Sequence, residues 1–214
     1  MENYTKRPLQ KPLPENALIL VRGRDDNPFM GFVRWGIRYF STKQNDKRQK
    51  MRRAVDHTVI FWHHGEGVLN EIIEANPTGV EKKLLKKYLN DRDGLLVFTN
   101  SKMQDPTKYA LVKAACYGRV GRAYDFKGLW GFIKRYFNIG DANNPAANFC
   151  SEAAAESYNV GGIRTSAKSS GLTSPNDQKT FLLSKEGKKE GWELYDFQNL
   201  GTEFFTKFHL VPIE

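Results

Sequence analysis

At 214 residues and 24.5 kDa, the chain is sized for one domain, because single cores stop growing somewhat beyond that length. Hydrophobic residues make up 40% and aromatics 13%, which supplies a core and excludes global disorder. Lys+Arg 33 against Asp+Glu 24 gives a net charge of +9, which admits an anionic partner such as nucleic acid, lipid headgroups or an acidic polymer without choosing among them.

No apolar run approaches the roughly 20 residues of a transmembrane helix, and Met1 to Pro8 lacks the apolar stretch of a secretory signal. The expectation is a soluble protein made in the cytoplasm and not exported by the general signal-peptide route. Two cysteines, Cys116 and Cys150, give no disulfide framework and no cysteine-rich zinc ribbon, and with no His-Glu-x-x-His helix and no phosphate-loop or dinucleotide fingerprint, neither a metal nor a cofactor is expected.

In chain order, residues 1–16, with Pro8, Pro12 and Pro14, read as an extended arm. Residues 17–214 read as one domain. Ala17 to Arg22 is a buried strand, and Phe29 to Phe40 is an amphipathic helix with Arg34 and Arg38 on its polar face. Ser41 to Arg53 is a basic insertion. Thr58 to Trp62 and Val68 to Ala75 form a hairpin across His63-His64-Gly65-Glu66-Gly67. Glu81 to Leu89 is a short helix or a strand edge, and Gly94 to Phe98 is a strand. Pro106 starts a helix through Tyr117 with a small-residue face of Ala110, Leu111, Ala114 and Ala115, ended by Gly118 and Gly121. An aromatic stretch from Tyr124 to Phe137 and a polar loop, Asn138 to Asn148, lead to a helix that begins beside Cys150. Gly161 to Asn176 reads as loop. A C-terminal extension from about residue 176 holds a pair of strands, Trp192 to Phe197 and Phe204 to Val211.

Chemistry concentrates at Cys150. At the start of a helix its sulfur faces the positive end of the dipole and the unpaired amide N–H groups of the first turn, both of which favour thiolate. A nucleophilic cysteine needs a base. Of the four histidines, His57 opens a strand, His63 and His64 sit in a turn, and His209 lies in the last strand, so His57 is the best anchored. The return strand brings Glu71 and Glu74 alongside, and alternation lets only one of them approach the ring. Cys116, at the end of a helix, is expected to be buried or disfavoured by the dipole. On spacing alone, a cysteine among alanines is more often a small buried hydrophobe, and a strand histidine is usually structural.

The order of pieces carries more. Asp56-His57-Thr58-Val59-Ile60-Phe61, then Ile73-Glu74-Ala75-Asn76-Pro77-Thr78-Gly79-Val80, then Tyr124-Asp125-Phe126, then Phe149-Cys150-Ser151-Glu152 resembles the circularly permuted papain-like cysteine hydrolases. These are the permuted branch of the NlpC superfamily, related in plan to the lecithin:retinol acyltransferases. The resemblance spans roughly residues 17 to 175. It implies an α+β fold in which an antiparallel sheet or small barrel packs against helices, with Cys150 as nucleophile, His57 as base and Glu74 as the residue that orients it. The chain departs from the family after His57, where Thr58-Val59 stands in place of small residues, and beyond Gly171. The helix N-terminal amides, with Ser151 and Tyr124 lining the site, are the expected oxyanion binders.

Three functions fit these features. The first is an amidase or peptidase acting on a peptide such as that of a cell wall. The second is a thioesterase, phospholipase or acyltransferase working on acyl chains at a lipid surface. The third is a noncatalytic structural or binding module of a larger assembly such as a phage particle. The missing signal is compatible with a virion component or with export by a specialised secretion machine. Lys47, Arg48, Arg52 and Arg53 of the basic insertion are expected to contact an anionic partner and to take no part in chemistry.

Overall fold

A computed structural model describes residues 15–22, 55–63, 71–84, 88, 94–124 and 150–195. Among them, one antiparallel sheet runs through β1 (Leu18–Arg22), β2 (His57–His63), β3 (Glu71–Asn76), β4 (Gly79–Leu84), β5 (Gly94–Asn100) and β6 (Trp192–Leu194). Its spatial order is β4-β3-β2-β1-β5-β6, so β4 and β6 are its edges and the described sheet is open rather than a closed barrel. The protein is α+β. Glu81 to Leu84, read as helix or strand edge, belongs to the edge strand β4.

β1 lies between β2 and β5, which explains a strand without polar alternation. Leu18 and Leu20 join the core under the helices. Ile19 and Val21 join a second cluster with Val59, Phe61, Ile72, Leu95 and Val97 on the other face. A strand covered on both faces needs an unbroken apolar run.

Helix α1 (Pro106–Tyr117) begins as the sequence predicts. The Asp105 side chain accepts from the Thr107 and Lys108 amides at 2.9 and 3.4 Å, and Pro106, which has no N–H to satisfy, takes the first position. Its orientation differs from the expected one. Ala110, Leu111 and Ala114 are exposed, while Val112 and Cys116 are buried. Burial scales with apolar area, so the rotation that buries Val112 and sets Tyr109 and Tyr117 against Trp62 outweighs a face of alanines. The Tyr109 and Tyr117 ring centroids lie 5.8 and 6.5 Å from that of Trp62.

Helix α2 (Cys150–Val160) packs on β2 and α1. Its buried residues are mostly small, including Ser151, Ala153, Ala154 and Ser157, and this allows close approach to the sheet.

The stretch read as loop ends in a helix, α3 (Pro175–Leu182), followed by the short α4 (Lys185–Lys189). The cause is local. The Ser174 hydroxyl accepts from the Asp177 amide at 3.1 Å, and Asp177 Oδ2 accepts from the Ser174 amide at 3.0 Å. This capping box, with proline at the first helical position, overrides the loop-like composition before it. Residues read as a C-terminal extension therefore enter the core, with Phe181, Leu182 and Trp192 all buried. The Tyr158 and Trp192 rings meet edge to face at 5.2 Å, and the Trp192 indole N–H donates to the Arg164 carbonyl at 2.7 Å. The predicted helix Phe29 to Phe40, the basic insertion, most of the stretch from Tyr124 to Asn148 and the strand Phe204 to Val211 lie outside the described residues.

The β3–β4 hairpin turns at Pro77-Thr78, where the Thr78 amide donates to Asn76 Oδ1 at 2.9 Å. Gly79 then adopts φ +128°, and a Cβ at that position would stand 2.7 Å from the Arg122 carbonyl oxygen, which accepts from the Val80 amide at 2.9 Å. Gly79→Ala is expected to cost about 1–3 kcal/mol through backbone strain and overpacking. Denaturant unfolding should show a lower midpoint at unchanged slope, and an unaltered midpoint would contradict this account of the turn.

Candidate active site

His57 is the first residue of β2, and its neighbour Val59 pairs with Glu74 of β3. Alternation puts His57 and Val59 on one face, so Glu74 lies diagonally across from His57, within reach of long side chains. His57 Nε2 and Glu74 Oε2 are 2.9 Å apart, and the two residues are 8% and 1% exposed. A carboxylate so placed must be hydrogen-bonded to stay charged. The Tyr88 hydroxyl donates to the same Oε2, and Asn76 Nδ2 donates to Oε1 at 3.4 Å. The Tyr88 ring centroid stands 6.0 Å from that of the imidazole.

Glu71 falls on the opposite face. It accepts from the Tyr117 hydroxyl at 3.1 Å and pairs with Lys82 Nζ at 3.5 Å. Of the two carboxylates that strand alternation leaves open, the structure sets Glu74 against His57.

Cys150 opens α2, close enough to the His57 ring for its charge and hydrogen-bonding capacity to raise the ring's pKa. With Nε2 committed to Glu74, Nδ1 is the nitrogen left to exchange a proton with sulfur. Cys150 belongs to the core beneath the helices, whereas Tyr88 belongs to the cluster on the other face of the sheet. The series Cys150, His57, Glu74, Tyr88 thus links the two cores past the first residue of β2.

The electrostatics favour a charged ring. Burial is the largest single influence on His57 and opposes protonation. It is outweighed by the charge and hydrogen bond of Cys150 together with the hydrogen bond and charge of Glu74, and the ring is raised to about 9. Cys116 is in a different setting. Burial pushes its thiol up to about 11, against smaller opposing effects from Ser157, Trp62 and Arg119.

The remaining expected residues are placed unevenly. The Ser151 hydroxyl donates to the Thr173 carbonyl at 2.6 Å, which leaves its backbone amide, and not its side chain, as a donor toward an oxyanion. Tyr124 is half-buried against the main core. Lys47, Arg48, Arg52 and Arg53 lie outside the described residues, as do His64 and His209. Sequence reasoning does not single out Tyr88, nor the buried Asn176 and Gln178 of α3. Asn176 Oδ1 accepts from the Val55 amide at 2.9 Å, just before the histidine strand. Among the described residues, no cluster of three or more His, Cys, Asp and Glu is placed to hold a metal ion, and no helix is long and apolar enough to cross a membrane. No protein-family model matches the chain, and no curated protein matches it.

The two thiols should differ in reactivity. With Cys116 raised to about 11, roughly one molecule in ten thousand carries its thiolate at neutral pH. Alkylation with iodoacetamide followed by peptide mapping should label Cys150 first. Faster labelling of Cys116 would contradict the assignment.

Proposed function

We propose that the protein is a cysteine-dependent hydrolase that cleaves an amide or peptide bond through an acyl-enzyme. The observation that carries this reading is the 2.9 Å contact of His57 Nε2 with the buried Glu74 carboxylate, with Cys150 near enough to act on the same ring. A thiol, an imidazole and a buried carboxylate so connected have the roles of nucleophile, base and orienting group. The placement of a histidine strand before a cysteine helix, on an open antiparallel sheet, supports the permuted papain-like plan. A peptide of the cell-wall type is the substrate class this plan favours.

In this mechanism His57 Nδ1 holds the proton from Cys150, and the sulfur attacks the carbonyl carbon. An S–C bond forms, and the carbonyl π pair moves to oxygen. The resulting oxyanion faces the first-turn amides of α2, which lack intrahelical partners. As the oxyanion collapses, the C–N bond breaks and the imidazolium delivers its proton to the departing amine. Water then attacks the thioester carbonyl while His57 takes its proton, and the carboxylic acid leaves as the sulfur is restored. Glu74 fixes the ring throughout and stabilises its positive form.

The proton on the ring sets the pH behaviour. His57 is raised from 6.5 to about 9 on folding, so its contribution to stability is whole below about 6.5 and is lost as pH rises through about 9. Delivery of the proton to the amine fails over the same alkaline range. Turnover of a peptide-amide substrate is expected to fall on the alkaline side near pH 9. In Glu74→Gln that limb should move to lower pH, because the carboxylate that favours the imidazolium is gone. His57→Ala should lower turnover by on the order of a thousandfold. Mass spectrometry on a slowly hydrolysed substrate should find the acyl group on Cys150. A substrate turned over with equal rates in wild type and His57→Ala would overturn the mechanism.

A further inference from the structure

Gln178 lies on α3, far along the chain from both His57 and Cys150. It is nevertheless 0% exposed, and every polar atom of its amide is engaged. Its Oε1 accepts from the Thr58 hydroxyl at 2.7 Å. Its Nε2 donates to the Ser151 carbonyl at 3.2 Å and to the Thr165 hydroxyl at 3.1 Å. Thr58 is the residue after His57, and Ser151 is the residue after Cys150.

We infer that Gln178 is a positioning residue whose amide bridges the strand of His57 to the helix of Cys150 and so sets the separation of base and nucleophile. The inference rests on the reading of those two residues given above.

Three features support it. The amide has one workable orientation, because turning it over would bring Oε1 against the Ser151 carbonyl, two acceptors without a proton between them. The support beneath it is rigid: α3 is fixed at its first turn by the Ser174–Asp177 capping box. Flanking residues of the same segment grip the approach to β2 and the first turn of α2, since Asn176 Oδ1 accepts from the Val55 amide at 2.9 Å and the Thr173 carbonyl accepts from the Ser151 hydroxyl at 2.6 Å. An apolar side chain of similar volume would fill the site without the desolvation cost of an amide. What the amide adds is directional, a fixed span between two elements brought together from distant parts of the chain. No group of Gln178 needs to touch substrate for this.

The test uses the full chain and the pH dependence of Cys150 alkylation by iodoacetamide, with thermal unfolding followed in parallel. Gln178→Met keeps the volume and removes the bridge. Thr58→Val removes the donor with little change of shape, and Thr58→Ser keeps the hydroxyl. In folded Gln178→Met and Thr58→Val, alkylation at neutral pH is expected to slow by on the order of tenfold and its profile to move to higher pH, since small displacements of reacting groups are costly. Thr58→Ser should retain the wild-type profile. The double variant should fall no further than the more affected single one, because both remove the same bridge. If Gln178→Met does not fold, Thr58→Val reads the same bond. A wild-type profile in either folded variant, or additive losses in the double variant, would overturn the inference and leave the mechanism standing. A wild-type Cys150 that His57→Ala does not alter would overturn both.

Discussion

A carboxylate buried to 1% exposure can remain charged only if its surroundings replace the water it has lost, and this constraint at Glu74 organises the site. The Tyr88 hydroxyl and Asn76 amide each donate to it, and the His57 ring meets it at 2.9 Å. The imidazole is then held between a negative oxygen and the Cys150 sulfur. Its positive form outlasts a burial that by itself would neutralise it. Removing any one of these groups leaves another uncompensated, so their effects should be far from additive.

The fold serves this arrangement by bringing distant segments to the start of one strand. β3 carries the carboxylate, α2 carries the thiol, and α3 ties β2 to α2 through Gln178. The sheet has apolar clusters on both faces, and the first residue of β2 is where a chain of polar contacts passes between them. Polar groups at such a boundary are exact in their partners because each is buried, and an unmade bond there costs more than a made one contributes.

Much of this is legible in the sequence, for physical reasons that differ by element. The run from Ala17 to Val21, short, apolar and closed by a turn-rich segment, suits a strand covered on both faces, and Pro106 marks a helix start. The α1 face is different: Ala110, Leu111 and Ala114 have the right spacing for a buried stripe, but packing of Tyr109, Val112 and Tyr117 decides the rotation, and such packing has no local signature. Parity along β3 shows that Glu71 and Glu74 part company; which of them meets His57 depends on the register Val59 to Glu74. The start of α3 is written in Ser174-Pro175-Asn176-Asp177, obscured by the glycine, serine and threonine residues before it. Gln178 and Tyr88 are legible only in three dimensions, because their partners are far away in sequence or set by register.

The central claim is that His57 carries a proton inside the protein at neutral pH, held by Cys150 on one side and Glu74 on the other. Nitrogen-15 NMR of the His57 imidazole across a pH titration tests it most directly, because both ring nitrogens report the proton. The account predicts an imidazolium at neutral pH that deprotonates near pH 9, with the midpoint falling in Cys150→Ala and in Glu74→Gln. A neutral ring at pH 7 in the wild type, titrating at or below the ordinary histidine value of about 6.5 and indifferent to both substitutions, would contradict it.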